Sequence, residues 1–246
     1  MSRVVAGINP VIEILRACPE RVKDILLSKK REALPDDLLR LIKEKGLNIV
    51  RKERQELDRL AEATSHQGIV ALLDGFPYTG LEEILTAWRK SGEKAFIVVL
   101  DSIEDPHNLG AIIRSAECAG VHGIVIPKDR ACGVTTSVEK VAAGAAAHMK
   151  ITRVTNIADT LIRLKEEGLW IAGAEGTAPV PLFGQDLTMD LALVIGGEGK
   201  GIRPRVQKMC DFLLSLPMKG KINSLNASAS AAIVLYEIVR QRGANL

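Results

Sequence analysis

Leu216-Pro-Met-Lys-Gly-Lys-Ile-Asn-Ser-Leu-Asn-Ala-Ser-Ala-Ser230 is the stretch from which the fold is read. It closes an apolar run, Phe212-Leu-Leu-Ser-Leu216, whose length and composition fit a short buried strand. Pro217 breaks that strand, Lys219-Gly220-Lys221 forms a loop, and a helix is expected to run to about Arg240 with Ser224 as its N-cap. Such a turn leaves backbone groups free at the strand's carboxyl end, which is where open α/β sheets bind ligands. Ser224, Asn226 and Ser228 bring small polar side chains to the first helical turns, a set that capping alone would also explain.

Upstream, Leu191-Ala-Leu-Val-Ile-Gly-Gly-Glu-Gly-Lys-Gly-Ile202 runs an apolar strand into Gly196, Gly197, Gly199 and Gly201, interrupted only by Glu198 and Lys200. Gly201 follows Lys200 where a Walker A loop needs Ser or Thr, and no G-x-G-x-x-G register fits. A nicotinamide dehydrogenase is therefore disfavoured. The glycines let the backbone approach something closely, with one carboxylate among them. A third stretch has the same build. Phe96-Ile-Val-Val-Leu-Asp101 reads as a strand, and a helix beginning near Asn108 carries Gly110 and Arg114. Asn108 is the expected N-cap and Gly110 permits close approach over the first turn. Arg114, six residues on, need not share a face with Asn108.

N-L-G-x-x-x-R after a strand, then I-G-G-E-G-x-G, then L-P-M-x-G-x-x-x-S-L-N-x-S, in this order and spacing, resembles the SpoU (TrmH-like) class of RNA 2′-O-methyltransferases. The likeness runs from about Glu93 to Arg240. Val125-Ile-Pro-Lys-Asp-Arg130 and Glu237-Ile-Val-Arg-Gln-Arg242 look most like the branch that methylates a guanosine ribose in the peptidyl-transferase region of 23S rRNA. The resemblance implies the SPOUT architecture: an α/β domain with a parallel sheet and a carboxyl-terminal deep trefoil knot, which general topology rules would reject. It also implies S-adenosylmethionine as cofactor, held by Gly196, Leu216 and Leu225 with Gly197, Gly199 and Met218 nearby. Asn108, Arg114, Glu198, Ser224 and Asn226 match the family's functional polar positions. A guanidinium is not normally deprotonated in a protein, so Arg114 is read as a phosphate anchor and stabiliser of a developing alkoxide. Glu198 would orient Arg114 or take the proton. His107 is a further base candidate that the motif does not specify. The family implies a homodimer with sites near the subunit interface. It also implies a 23S rRNA or ribosome assembly intermediate as partner. A tRNA ribose methyltransferase and a noncatalytic ribosomal RNA-binding relative remain alternatives.

The rest of the chain is consistent with this. Across 246 residues, 47% are hydrophobic, enough for a packed core, and no apolar run is long enough to span a membrane. Asn9, Pro10 and Glu13 interrupt any signal-like stretch. Cys18, Cys118, Cys132 and Cys210 are widely separated and form no C-x-x-C pair, so they read as reduced thiols of a cytoplasmic protein, and no metal site is expected. The net charge of +3 permits nucleic-acid binding without demanding it, and 3% aromatics argue against a surface of stacked bases.

Residues 1–74 alternate short helical and strand patterns and read as a small α/β module. Strands are expected over Val22–Ser28, Leu47–Arg51 and Gly68–Leu73, with helices over Asn9–Ala17, Asp36–Lys45 and Glu53–Ala61. Lys29, Lys30, Arg31, Arg51 and Arg54 sit at strand ends where they could meet phosphates or be ordinary surface charge. Family members with this extension carry a domain similar to ribosomal protein L30e, which binds RNA, and Thr64-Ser-His-Gln-Gly-Ile69 resembles its closing segment. Gly75, Pro77, Gly80 and Gly92 suggest a flexible linker over 75–93 with a helical turn or two. From 94 to 246, strands over 96–101, 123–127, 169–174, 191–196 and 212–216 alternate with helices, the rhythm of a parallel sheet covered on both faces.

Overall fold

The computed structural model describes residues 3–17, 19–31, 33–61, 65–176, 178–199, 201–221 and 224–243, so expectations that fall on Cys18, Thr64 and Lys200 lie outside the described residues. The chain divides after Pro77 into two compact units.

The first unit holds β1 (Arg3–Ala6), α1 (Ile8–Ala17), β2 (Val22–Ser28), α2 (Asp36–Glu44), β3 (Asn48–Lys52), α3 (Arg54–Ala61) and β4 (Ile69–Leu73). Its sheet has the order β1-β4-β2-β3, with β2 and β3 parallel and the other pairs antiparallel. The period of two decides which helix covers which face. Ile25 and Leu27 of β2, with Ile69, Ala71 and Leu73 of β4, pack under Val11, Leu15, Leu38 and Ile42 from α1 and α2. The intervening Leu26 and Val70 face Leu57 and Ala61 of α3. β1 is an addition to the strands expected from sequence: four residues are too few for a periodic signal.

The second unit holds α4 (Leu81–Ser91), β5 (Phe96–Asp101), α5 (Pro106–Cys118), β6 (Gly123–Pro127), α6 (Thr136–Ala142), α7 (Ala145–His148), β7 (Ile151–Val154), α8 (Ile157–Glu166), β8 (Trp170–Ala174), β9 (Val180–Pro181), β10 (Leu191–Gly196), α9 (Pro204–Gln207), β11 (Phe212–Ser215) and α10 (Ala227–Arg242). Its seven-stranded sheet has the order β7-β6-β5-β10-β8-β11-β9, and every pair is parallel. β5 is buried at every residue, as a strand with helices on both faces must be. From β5 the chain builds outward through β6 to β7 and later returns to β5's other edge with β10. That reversal is the switch point at which α/β sheets form ligand crevices.

The expected linker over 75–93 is corrected by α4. Glu83 Oε1 accepts from the Gly80 N–H at 2.8 Å and closes the helix start, while Gly92 at φ +72° ends it. Ile84 and Leu85 are fully buried among Ile97, Val99 and Val125, each burial stabilising by about 2 kcal/mol. Gly123 leaves the space that Ile84 fills, since a Cβ there would meet its side chain. Two further features concern helices. The helical stretch between β6 and β7 is split into α6 and α7 by Ala143 and Gly144, both left-handed. Gly110, expected to permit close approach over the first turn, does so for α6: its Cβ would lie 2.7 Å from Val141 Cβ and 2.8 Å from the Val138 carbonyl.

At the end of α10, buried Glu237 accepts from Arg240 Nε at 2.8 Å, Arg240 Nη2 at 2.7 Å and Gln241 Nε2 at 2.8 Å. The Arg240 guanidinium, helped by Gln241, holds this carboxyl down at about 2, against the opposing effect of burial. A depressed carboxyl contributes stability that is present above its unfolded value near 4.5 and lost as pH falls toward 2. Glu237→Gln is therefore expected to lower the melting temperature at neutral pH and to flatten its decline between pH 4.5 and 2, as thermal melts across that range would report.

Candidate active site

Four loops leave the carboxyl ends of β5, β8, β10 and β11 on one side of the sheet. Residues after β8, β10 and β11 line a cleft of about 660 Å³, which also takes in Ala227 and Ser230 of α10. All six residues expected to hold a cofactor, Gly196, Gly197, Gly199, Leu216, Met218 and Leu225, line it, as do Glu198, Ser224 and Asn226. Leu225, which core packing would also have explained, is 44% exposed at the cleft.

The glycine loop is built by close backbone approach. A Cβ on Gly196 would overlap the backbone of Gly201 and Ile202, and one on Gly197 would overlap the Ser102 carbonyl. Gly201 donates its N–H to the Gly197 carbonyl at 3.0 Å, folding the loop back on itself. Its exit is held by Asp101, which is fully buried at the end of β5. Asp101 accepts from the Arg203 backbone N–H at 2.8 Å and from Arg203 Nε at 2.7 Å, with Nη2 at 2.5 Å. The buried carboxylate is thus paired and hydrogen-bonded, as its burial requires.

Beside the loop three side chains meet. Asn226 Nδ2 donates to Glu198 Oε1 at 2.8 Å and to Asn108 Oδ1 at 2.9 Å, and Asn108 Nδ2 donates to Glu198 Oε1 at 2.6 Å. The N-caps are correspondingly reassigned. Asn226, two residues beyond the expected Ser224, caps α10 through Oδ1, which accepts from the Ser228 and Ala229 N–H groups at 2.9 and 3.2 Å. Asp105, three residues before the expected Asn108, caps α5 by accepting from the His107 N–H at 3.0 Å, with Pro106 at the first helical position. Asn108 is thereby freed from capping and sits buried inside the first turn. Glu198, expected to orient Arg114 or to take a proton, is engaged by the two amides.

Arg114 lies further along α5, exposed, with no side-chain partner among the described residues and outside the cleft lining. His107 is exposed and also outside the lining. Among the described residues no group of His, Cys, Asp and Glu could hold a metal ion. Burial pushes the Cys210 thiol up to about 12, which leaves it unreactive. Sequence reading missed Ala174, Glu175 and Gly176, which complete the cleft from the end of β8. Their position after a strand in the alternating pattern was the available signal.

In the first unit the five basic residues differ in what they can offer. Arg31 spends its guanidinium on the Gln67 carbonyl and on the Ala33 carbonyl at 3.0 Å, and Arg51 Nη1 donates to the Arg31 carbonyl at 3.2 Å. Lys29 pairs with Glu53 at 2.8 Å. Lys30 and Arg54 are exposed and have no side-chain partner among the described residues.

The comparisons with known proteins bear on this geometry. Residues 95–236 match the model of the SpoU rRNA methylase family. The chain belongs to that family. Residues 4–79 match a second model, described as RNA 2′-O ribose methyltransferase substrate binding. The chain is 41% identical to the 23S rRNA (guanosine-2′-O-)-methyltransferase RlmB of Escherichia coli K12, over 98% of this chain and 100% of that protein. The crystal structure of the SpoU methyltransferase AviRb from Streptomyces viridochromogenes in complex with the cofactor AdoMet superposes with a TM-score of 0.71 at 25% identity, covering 98% of this chain and 90% of that one. The crystal structure of the A. aeolicus TrmH/SpoU tRNA modifying enzyme matches over 67% of this chain and 85% of its own, with TM-score 0.57 and 29% identity. The parallel α/β fold expected of SpoU methylases is the one observed. Among the described residues, no helix is long and apolar enough to cross a membrane.

Proposed function

We propose that this chain transfers a methyl group from S-adenosylmethionine to the 2′-hydroxyl of a guanosine in 23S rRNA, acting in the cytoplasm as a homodimer on the rRNA or a ribosome assembly intermediate. The observation that carries the reading is the cleft over the glycine loop, with the Asn108–Glu198–Asn226 cluster at its wall. The name borne by the relative 41% identical over nearly the whole chain supports the rRNA guanosine. The cofactor fits on structural grounds, because Gly196, Gly197 and Gly199 present bare backbone to the cleft, on a loop held tight where Gly196 packs on Gly201 and Ile202 and Gly197 on the Ser102 carbonyl, with Leu216, Met218 and Leu225 as apolar walls. Bound there, S-adenosylmethionine supplies an electrophilic methyl carbon.

The chain's own work is mostly alignment, since in-line displacement at carbon gains most from positioning. Asn108 and Asn226 fix the Glu198 carboxylate, and Asn226 at the same time fixes the start of α10, so the cleft wall and the cluster are set together. Arg114 anchors the phosphate next to the reacting ribose and stabilises charge that develops on its oxygen. Ser224, lining the cleft, is a hydrogen-bonding group for the ribose. The first unit grips RNA, with Lys30 and Arg54 as phosphate contacts and Lys29, Arg31 and Arg51 shaping that surface. The trefoil knot that the family implies, formed by the loops after β10 and β11, is part of this reading.

Labelled S-adenosylmethionine offered with unmodified 23S rRNA, and separately with bulk tRNA, tests the proposal. Label at one guanosine ribose of 23S rRNA is the expected result. Label in tRNA alone would keep the chemistry and replace the substrate. No label in either, with cofactor still bound, would leave a noncatalytic RNA-binding relative.

A further inference from the structure

Among the described residues the cleft's charge is one-sided. Of the described residues that line it, Glu175 and Glu198 are the charged ones, and both are acidic. Glu198 is met by neutral amides, so its charge is held in place without being cancelled. Glu175 follows directly on β8. Its N–H donates to the Leu214 carbonyl at 2.9 Å and its own carbonyl accepts from the Ala178 N–H at 3.0 Å, which pins the turn after β8 to β11. Its half-buried carboxylate reaches over the end of the glycine loop and accepts a long bond, 3.4 Å, from the Ile202 N–H. Gly201 makes room for it, because a Cβ there would lie 2.7 Å from Glu175 Oε2. No cationic side chain among the described residues pairs with Glu175.

We infer that Glu175 lets the cleft distinguish the cationic methyl donor from its neutral product. The inference rests on the cofactor reading above. In the transfer the S–CH₃ bond breaks, the O–CH₃ bond forms, the hydroxyl gives up its proton to solvent water and the sulfonium becomes an uncharged thioether. S-adenosylmethionine carries one net positive charge and S-adenosylhomocysteine none, while their shapes differ by one methyl group. Shape alone discriminates weakly at that level. A carboxylate inside a cleft of lowered dielectric discriminates by charge, and does so without a contact to the methyl group itself. The product is then released as soon as the charge that held the donor is gone. A Glu175 that instead accepted hydrogen bonds from ribose hydroxyls would treat both compounds alike.

Calorimetric titration of the full chain with each compound, for the wild type, Glu175→Gln and Glu175→Asp, decides this. Glu175→Gln is expected to weaken S-adenosylmethionine about tenfold and S-adenosylhomocysteine less than about twofold. Glu175→Asp should keep the preference for the donor. In the wild type, rising salt should erode that preference. Equal losses for both compounds, no loss for either, or a wild-type preference indifferent to salt would overturn the inference while both compounds still bind. A wild type that binds neither would overturn it by removing the cofactor reading beneath it.

Discussion

Arg114→Ala is expected to slow methyl transfer by at least about a hundredfold, close to 2.7 kcal/mol of barrier, while changing cofactor affinity less than about twofold. The expectation comes from where α5 puts the two polar residues of one motif. Asn108, near the helix start, is buried in the cluster with Glu198 and Asn226. Arg114 is outside both the cluster and the cleft lining, and no described residue uses its guanidinium. A cation without an internal partner is available to RNA, and a guanidinium can hold a phosphate by two parallel bonds. Because the side chain is exposed, its loss should leave the fold intact, with a melting temperature near that of the wild type. Arg114→Lys keeps the charge but not the fork, and should recover only part of the rate. Single-turnover transfer to 23S rRNA, set beside cofactor titration, separates the two effects. Transfer at the wild-type rate in Arg114→Ala would remove Arg114 from the chemistry, and a parallel loss of cofactor affinity would place it in the cleft instead.

The elements were legible where a single physical signal dominates. Apolar runs such as Phe96–Leu100 and Leu191–Ile195, short, β-branched and flanked by Gly or Asp, read as buried strands, and the glycines after Ile195 announce close backbone approach before any partner is known. The partner was not legible: that Gly197 rests on the Ser102 carbonyl follows from β10 pairing with β5, a contact spanning most of the second unit. The caps failed for a related reason. Asp105 and Asn108, or Ser224 and Asn226, are equally good capping chemistries. Which one caps is settled by tertiary structure, here by the demand of Glu198 for amide donors. Arg31 reads as a surface cation because its acceptors are the backbone carbonyls of Ala33 and Gln67, which no residue type encodes. The helix over 81–91 was read as a linker because Gly80 and Gly92 mark loops as well as helix ends. Only the burial of Ile84 and Leu85 tells the two apart.

Gly197→Ala should abolish measurable cofactor binding and destabilise the second unit by about 2 kcal/mol, the usual scale of overpacking. Its backbone is not left-handed, so conformational freedom is not what makes glycine necessary there. The constraint is steric. The added methyl would overlap the Ser102 carbonyl, a backbone atom that cannot rotate aside as a side chain could. Ser102 is itself constrained, at φ +65° and next to Asp101, which is locked to Arg203. Relief must therefore come from the glycine loop, and moving it carries Glu198 away from Asn108 and Asn226. Gly199→Ala is the control with the opposite physics. At φ +77° it is conformationally strained, yet a Cβ there meets nothing within 4 Å. It should cost about 1 kcal/mol of stability and leave the cradle in place, with cofactor still bound. Thermal melts and calorimetric titration of the two variants measure both effects. Wild-type binding by Gly197→Ala would show that the loop yields without cost, and the backbone cradle would then no longer explain why glycine stands at this position.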